Sequence, residues 1–281
     1  MHTSSQFVRG SSFALLLAIP TGALSAQAAL SPPAMVQATC ETVKPGMGMA
    51  HDQHEVRWTR AIEATKGFTP ALALQSMTGP TVTCWLTGVA SYDALGKSYE
   101  VLMADPAYAR ALPSLVGADA QYISDIRTSI AMLRTDLSAG PMPNVLTRRF
   151  ANWSVWNVRY GRETAFEAAV KAYTAAMTRA GVQPEIRVYQ VMHGATGAVF
   201  WIMSSTASMA GFDTDMANDP KVAAAFTADD QKVFNEFFTN ALVSTTSNLW
   251  SYVSTQSALT MEQRASDPFW KRPAPAAAPR P

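Results

Sequence analysis

The stretch Ile186-Arg187-Val188-Tyr189-Gln190-Val191-Met192-His193-Gly194-Ala195-Thr196-Gly197-Ala198-Val199-Phe200-Trp201-Ile202-Met203 decides how the chain folds. Its first arm alternates in side-chain character, His193 to Gly197 supply a glycine-bearing turn, and the second arm is β-branched and aromatic. That combination specifies a β-hairpin. A second copy lies upstream, where Ala71-Leu72-Ala73-Leu74-Gln75-Ser76-Met77, the turn Thr78-Gly79-Pro80 and Thr81-Val82-Thr83-Cys84-Trp85-Leu86-Thr87 follow the same order.

Working outward, each hairpin is embedded in the same series of elements. In the first half, Met35 to Val43 reads as a strand ended by Lys44-Pro45-Gly46. A helix from about His51 to Lys66 follows, with Val56, Ala61, Ile62 and Ala64 among its apolar positions, and Gly67 closes it. After the hairpin, Ser91 caps a helix carrying Tyr92, Leu95, Tyr99 and Leu102. Asp105-Pro106 opens another, with Asp as N-cap and Pro where a missing N–H costs nothing. Pro113 is expected to break that helix before a further helical piece from Ala118 to Ile126, and Ser129 to Arg134 closes the half as a strand. Ser138 to Pro143 is the linker.

The second half repeats the order: strand Trp153 to Val158, turn Arg159-Tyr160-Gly161, helix Glu163 to Arg179, Gly181, the opening hairpin, and Asp219-Pro220 as a second helix start. Thr227 to Asp230 forms a capping-box start to a long amphipathic helix through Leu242, and Leu249 to Val253 closes the half. The landmarks recur near an offset of 115 residues. That period is far above solenoid length and marks a duplicated domain.

Both ends fall outside this pattern. Arg9, the short apolar run Phe13 to Ile19 and Ala26-Gln27-Ala28 have the form of a secretory signal cleaved before Ala29, which places the mature protein in the periplasm or outside the cell. The organisation is therefore 1–28 signal peptide, 29–140 first repeat, 141–262 second repeat and 263–281 a disordered Pro/Ala-rich tail. With 48% hydrophobic and 15% charged residues, a net charge of +1 and no basic stripe, the composition excludes a nucleic-acid partner. After signal cleavage nothing inserts in a membrane. Cys40 and Cys84 both face apolar neighbours on their strands, which fits either a disulfide or two buried thiols.

Strand, helix, hairpin, helices, strand is the ferredoxin-like βαββαβ plan, so the class is α+β. The sheet face not covered by helices carries Trp85, Tyr189 and Trp201 and cannot face water. Two such sheets packing into one pseudo-dimeric α/β barrel, in a monomer, solve the problem. The double plan, with Lys44-Pro45-Gly46 and Asp105-Pro106 at their places, resembles the dimeric α/β-barrel superfamily over Met35 to Ser257. That group includes antibiotic-biosynthesis-type monooxygenases, NIPSNAP-like proteins and the haem-handling chlorite dismutases. The resemblance implies a small-molecule site between the sheet and helices of one half, or inside the barrel.

On that expectation Trp156, Tyr189 and Trp201 line a pocket for an apolar or aromatic molecule, with Asn157 and Gln190 supplying hydrogen bonds; the alternative, the commoner use of large aromatics, is that they pack as inter-sheet core. His193 reads as an exposed turn histidine. No His lies between Gly194 and Pro281, where haem-handling relatives place their ligand, so no cofactor is expected. Met47, Met49, His51 and His54 lie within eight residues and offer soft ligands for copper(I), or a solvated helix start. G-x-S-x-G, H-E-x-x-H, phosphate-loop and dinucleotide fingerprints are absent from the sequence. Three functions compete: a small-molecule-binding barrel, a cofactor-independent monooxygenase of an aromatic substrate, and copper handling.

Overall fold

The protein was analysed as a computed structural model that describes residues 32–272; the signal segment and residues 273–281 lie outside the described residues. Eight antiparallel strands close on themselves: β1 (Met35–Val43), β2 (Ala71–Ser76), β3 (Val82–Val89), β4 (Ile123–Leu133), β5 (Phe150–Val158), β6 (Arg187–His193), β7 (Ala198–Thr206) and β8 (Leu242–Tyr252). Around the barrel they run β1-β3-β2-β8-β5-β7-β6-β4, with β4 returning to β1. Within each half the order is ferredoxin-like, and the second strand of each half pairs with the last strand of the other. Helices α1 (Gly48–Ala64), α2 (Tyr92–Ala104), α3 (Pro106–Asp119), α4 (Glu163–Arg179), α5 (Ala210–Ala224) and α6 (Ala228–Glu236) connect the strands. A short α7 (Met261–Ala265) follows the last strand.

The joins between halves are narrower than the sheets they join. β2 meets β8 over three residue pairs, Leu74↔Tyr252 to Ser76↔Trp250, whereas β5 meets β7 over nine. Backbone bonds beyond the strands reinforce each join. Ala71 and Ala258 exchange both bonds, Val253 N–H donates to Ala73 O at 2.8 Å, and Ala139 exchanges bonds with Ile186. The linker is therefore stitched into the barrel, and the buried Arg187 guanidinium holds it further by donating to the carbonyls of Ala139, Gly140 and Pro141.

Side-chain alternation sorts the barrel into two faces. Val36, Ala38, Leu74, Cys84, Ala131, Trp153, Tyr189, Val191, Val199, Trp201, Trp250 and Tyr252 form one buried interior cluster. Trp153 packs against Trp201 at 5.0 Å and Trp250 at 5.4 Å between ring centres, filling the middle of the barrel with three indoles. Cys40 stands opposite Cys84 in the β1–β3 register, and the two are joined as a disulfide. Since Cys84 points inward, its neighbour Trp85 must point outward. That corrects its expected place in the interior: it packs toward α1, and its indole N–H donates to Gln256 O at 3.2 Å.

Several boundaries differ from expectation. Helix α3 runs through the exposed Pro113 to Asp119, and β4 begins at Ile123, within the segment expected to be helical. Asp105 caps α3 as expected, accepting from Ala107 and Tyr108 N–H. Asp219-Pro220, however, lies inside α5, which starts at Ala210, so that pair is not a helix start. The helix capped by Thr227 ends at Glu236 and passes through a π-helical turn, Phe237–Ala241, into β8. Residues 263–272 are also folded rather than part of a tail. Trp270 is fully buried against Tyr252, donates to Leu146 O at 2.6 Å, and joins the interior cluster at one end of the barrel. Arg149 holds this cap by pairing with Asp267 at 2.6 Å.

Replacing Trp270 with Ala removes the largest fully buried side chain among the described residues and leaves a void at that end. Chemical denaturation is expected to show a loss of about 3–5 kcal/mol; a loss under about 1 kcal/mol would mean the cap is dispensable.

Candidate functional site

The helices cover the outer face of the barrel, leaving one seam between sheet and helices in each half. An offset of 115 residues carries β1 onto β5 and α1 onto α4 end for end. Glu41, His51, His54 and Glu55 in the first seam thus correspond to Trp156, Phe166, Ala169 and Val170 in the second. The backbone frame is the same; the filling is opposite in character.

In the second seam, α4 buries Phe166, Ala169, Val170, Ala172 and Ala176, the helical stripe that an apolar sheet face selects. Phe166 stacks on Phe200 of β7 at 4.2 Å. The π-helical turn after α6 lets consecutive Phe237 and Phe238 both reach Trp156, at 5.8 and 6.1 Å. Beside this cluster lies a cavity of about 770 Å³. Its apolar end is built by Trp156, Phe166, Val170, Phe234 and Phe237, while Asn152, Ser154 and Ser204 give its sheet floor a polar end and α5 adds Asp215 and Asp219. Burial, with the Asp219 carboxylate nearby, raises the Asp215 carboxyl above its ordinary value. Burial, then those two acids, likewise raises the Tyr173 phenol. Trp156 Nε1–H is buried and finds no acceptor among the described residues.

In the first seam, the stripe that α1 buries is His51, His54, Glu55 and Thr59, not the expected apolar positions. Glu41 reaches them from β1 and Asp119 from the end of α3, both buried. One ligand-type atom from each of Glu41, His51, Glu55 and Asp119 lies within 4.8 Å of the others. His51 Nε2 is 3.0 Å from Glu41 Oε2, while its Nδ1 faces Asp52 Oδ1 at 3.8 Å. That Asp52 oxygen accepts from Gln256 Nε2 at 2.9 Å and Gln75 Nε2 at 3.4 Å.

The electrostatics follow from this crowding. Burial, then the Glu41 charge, pushes Glu55 up to about 8. The same two causes push Asp119 up to about 6. For His51, burial opposes the charged form, but Asp52 and Glu41 outweigh it and raise the imidazole to about 9. His54 goes the other way, lowered by burial and then by Arg57. Arg57 Nη2 lies 3.2 Å from His54 Nδ1, so that nitrogen accepts and the proton sits on Nε2.

The residues expected to share one pocket are distributed over three environments. Trp156 lines the second-seam cavity. Tyr189 and Trp201 belong to the packed interior of the barrel. Gln190 faces the helices and accepts from Arg134 Nη1 at 3.1 Å, and Asn157 donates to Ser244 near the surface. The alternation of β5 and β6 already separates Tyr189 from Gln190 and Trp156 from Asn157. The copper set also divides: Met47 and Met49 are exposed, at 41% and 77%, while His51 and His54 are buried. His193 is exposed and pairs with the Tyr92 hydroxyl at 3.0 Å.

No family model and no curated protein matches the sequence. The fold does have counterparts among solved structures. A proposed monooxygenase from Fusobacterium nucleatum superimposes with a TM-score of 0.50 at 9% identity, over 78% of this chain and 91% of that one. An anthrone oxidase-like protein gives 0.50 at 15% identity, over 83% and 98%. A chlorite dismutase from Candidatus Nitrospira defluvii, in complex with imidazole, gives 0.43 at 9% identity, over 82% and 94%. The chain has the fold of the dimeric α/β-barrel superfamily, with both halves of the barrel supplied by one polypeptide.

Phe166 is 1% exposed and anchors α4 to the sheet at the head of the cavity. Phe166→Ala is expected to cost about 3–5 kcal/mol in urea denaturation. A cost under about 1 kcal/mol would show that the aromatic cluster does not define the cavity wall.

Proposed function

We propose that this chain is an exported small-molecule-binding α/β-barrel protein whose ligand occupies the second-seam cavity. The observation that carries the reading is the cavity itself. About 770 Å³ falls in the range of drug-sized ligand sites, and its apolar wall with a few convergent polar groups is their usual chemistry. The gradient from Trp156 and Phe166 to Asn152, Ser154 and Ser204 favours an aromatic or apolar body with one polar end. The barrel interior offers less room, about 160 Å³ at the end near Tyr189 and Tyr252 and about 360 Å³ at the end near Cys84 and Trp250.

Export is supported by residues 1–28 and by the Cys40–Cys84 bond, which an oxidising compartment favours. Among the described residues no helix is long and apolar enough to cross a membrane. The end-for-end match of β1 with β5 and α1 with α4 supports a duplicated origin, and a closed barrel within one chain supports a monomer. No cofactor enters this reading.

A catalytic version rests on Asp215. A cofactor-independent monooxygenase needs a base to deprotonate an electron-rich substrate before oxygen reacts, and a carboxylate raised by burial in the cavity wall is suited to that task. Of the solved proteins of this fold, one is named a monooxygenase and another anthrone oxidase-like. Anthrone is a suitable probe: oxygen uptake above the buffer rate, falling by about 10²-fold or more in Asp215→Asn, is the enzymatic outcome.

The test of binding is native mass spectrometry of the exported protein, to detect a co-purifying molecule, followed by titration of the stripped protein with that molecule. Trp156→Ala and Asn152→Ala are expected to weaken binding by about tenfold each, roughly 1.4 kcal/mol. A molecule that binds both variants as tightly as the parent, or no bound molecule at all, contradicts the assignment.

A further inference from the structure

The first seam contains a group of charges that the fold does not require. At the corresponding positions the other half places Trp156, Phe166 and Val170 and builds an ordinary apolar contact. Here the same frame buries Glu41, His51 and Glu55, and α3 adds Asp119. Bringing three carboxylates out of water into one site is strongly unfavourable unless a compensating charge lies among them.

Two further observations point to what supplies that charge. Glu55 Oε1 and Asp119 Oδ1, on residues 4% and 5% exposed, receive no hydrogen bond from the described residues. Buried carboxylate oxygens without donors are rare in native proteins and call for a partner. The second observation is the arrangement behind His51. Its Nε2 lies 3.0 Å from Glu41 Oε2 in the cluster, and its buried Nδ1 finds no hydrogen-bond partner among the described residues, with Asp52 Oδ1, itself held by Gln256 and Gln75, standing 3.8 Å away. Closing that gap when the site is loaded would give the carboxylate–imidazole pair by which proteins orient a metal-bound histidine.

We propose that Glu41, His51, Glu55 and Asp119 bind a divalent first-row cation, with Asp52 positioning His51. A mutual spacing within 4.8 Å brings the four atoms near enough that small side-chain shifts close them around one ion at bond lengths of about 2.0–2.2 Å. Three carboxylate oxygens and one imidazole suit zinc(II), manganese(II) or iron(II) rather than copper(I), which prefers sulfur. The exposed Met47 and Met49 take no part. The ion ties β1, α1 and α3 together across the seam, while the organic ligand belongs to the opposite half of the barrel.

Calorimetry on the chelator-treated full chain, with zinc(II) and with manganese(II) in separate titrations, tests the site. The expected result is saturation at one ion per chain for at least one of the two. Glu55→Gln/Asp119→Asn abolishes it, Asp52→Asn weakens it about 10–100-fold, and Met47→Ala/Met49→Ala leaves it unchanged. Zinc-edge X-ray absorption on the unsubstituted protein supplies a readout independent of whether the variants fold, with only oxygen and nitrogen neighbours and one imidazole in the first shell. No saturable binding, equal binding in Glu55→Gln/Asp119→Asn, or sulfur in the first shell overturns the site.

Discussion

Closure of the sheet is the constraint on which the rest depends. Each half of this chain makes a four-stranded sheet with helices on one face and an apolar surface on the other, aliphatic in the first half and indole-rich in the second. The second half could not leave Trp153, Trp201 and Trp250 in water, nor the first half Val36, Leu74 and Leu86. The halves solve this jointly by pairing β2 with β8 and β6 with β4, which also leaves no unpaired strand edge. The two joins are short, so closure draws on other groups. The Trp270 cap, the bonds at Ala71 and Ala139, and the Arg187 anchor all lie at or near these joins.

With the interior given largely to packing, the roomiest cavity lies on the outer face, beneath the helices. The two seams beneath the helices have one backbone plan and opposite chemistry. In the second, α4 presents phenylalanine and valine to the sheet, and the π-helical turn adds two more rings, leaving a cavity with an apolar wall. In the first, α1 presents histidine and glutamate, and the space is taken by a compact polar cluster. One frame, present twice, can thus hold two unlike sites without disturbing the barrel between them.

Much of the architecture was legible in the sequence because the signals are local. Alternation and turn glycines fixed both hairpins, and the helix Glu163 to Arg179 agrees end for end. The failures came where tertiary context overrides local habit. Pro113 and Pro220 were read as boundaries, yet each sits within a helix. Trp270 lies beside a Pro/Ala-rich stretch whose composition hid a buried cap. The pocket residues were grouped by chemistry alone, although the period of a strand sends Tyr189 and Gln190 to opposite faces. The acid cluster did leave a trace: Cys40 pointing inward turns Glu41 toward the helices, and His51, His54 and Glu55 share one helix face. Asp119 left none, because only the fold brings the end of α3 to β1.

Amide hydrogen exchange on the full chain, followed over a range of protein concentrations, tests closure most directly. In a closed barrel the amides that cross the joins, among them Val253 to Ala73, Met77 to Leu249 and Arg134 to Val188, exchange as slowly as those between β1 and β3. That protection is expected to be independent of protein concentration. Exchange at the joins near the rate of an open strand edge, or protection that appears only as chains associate, would mean that the two sheets are not closed by one polypeptide.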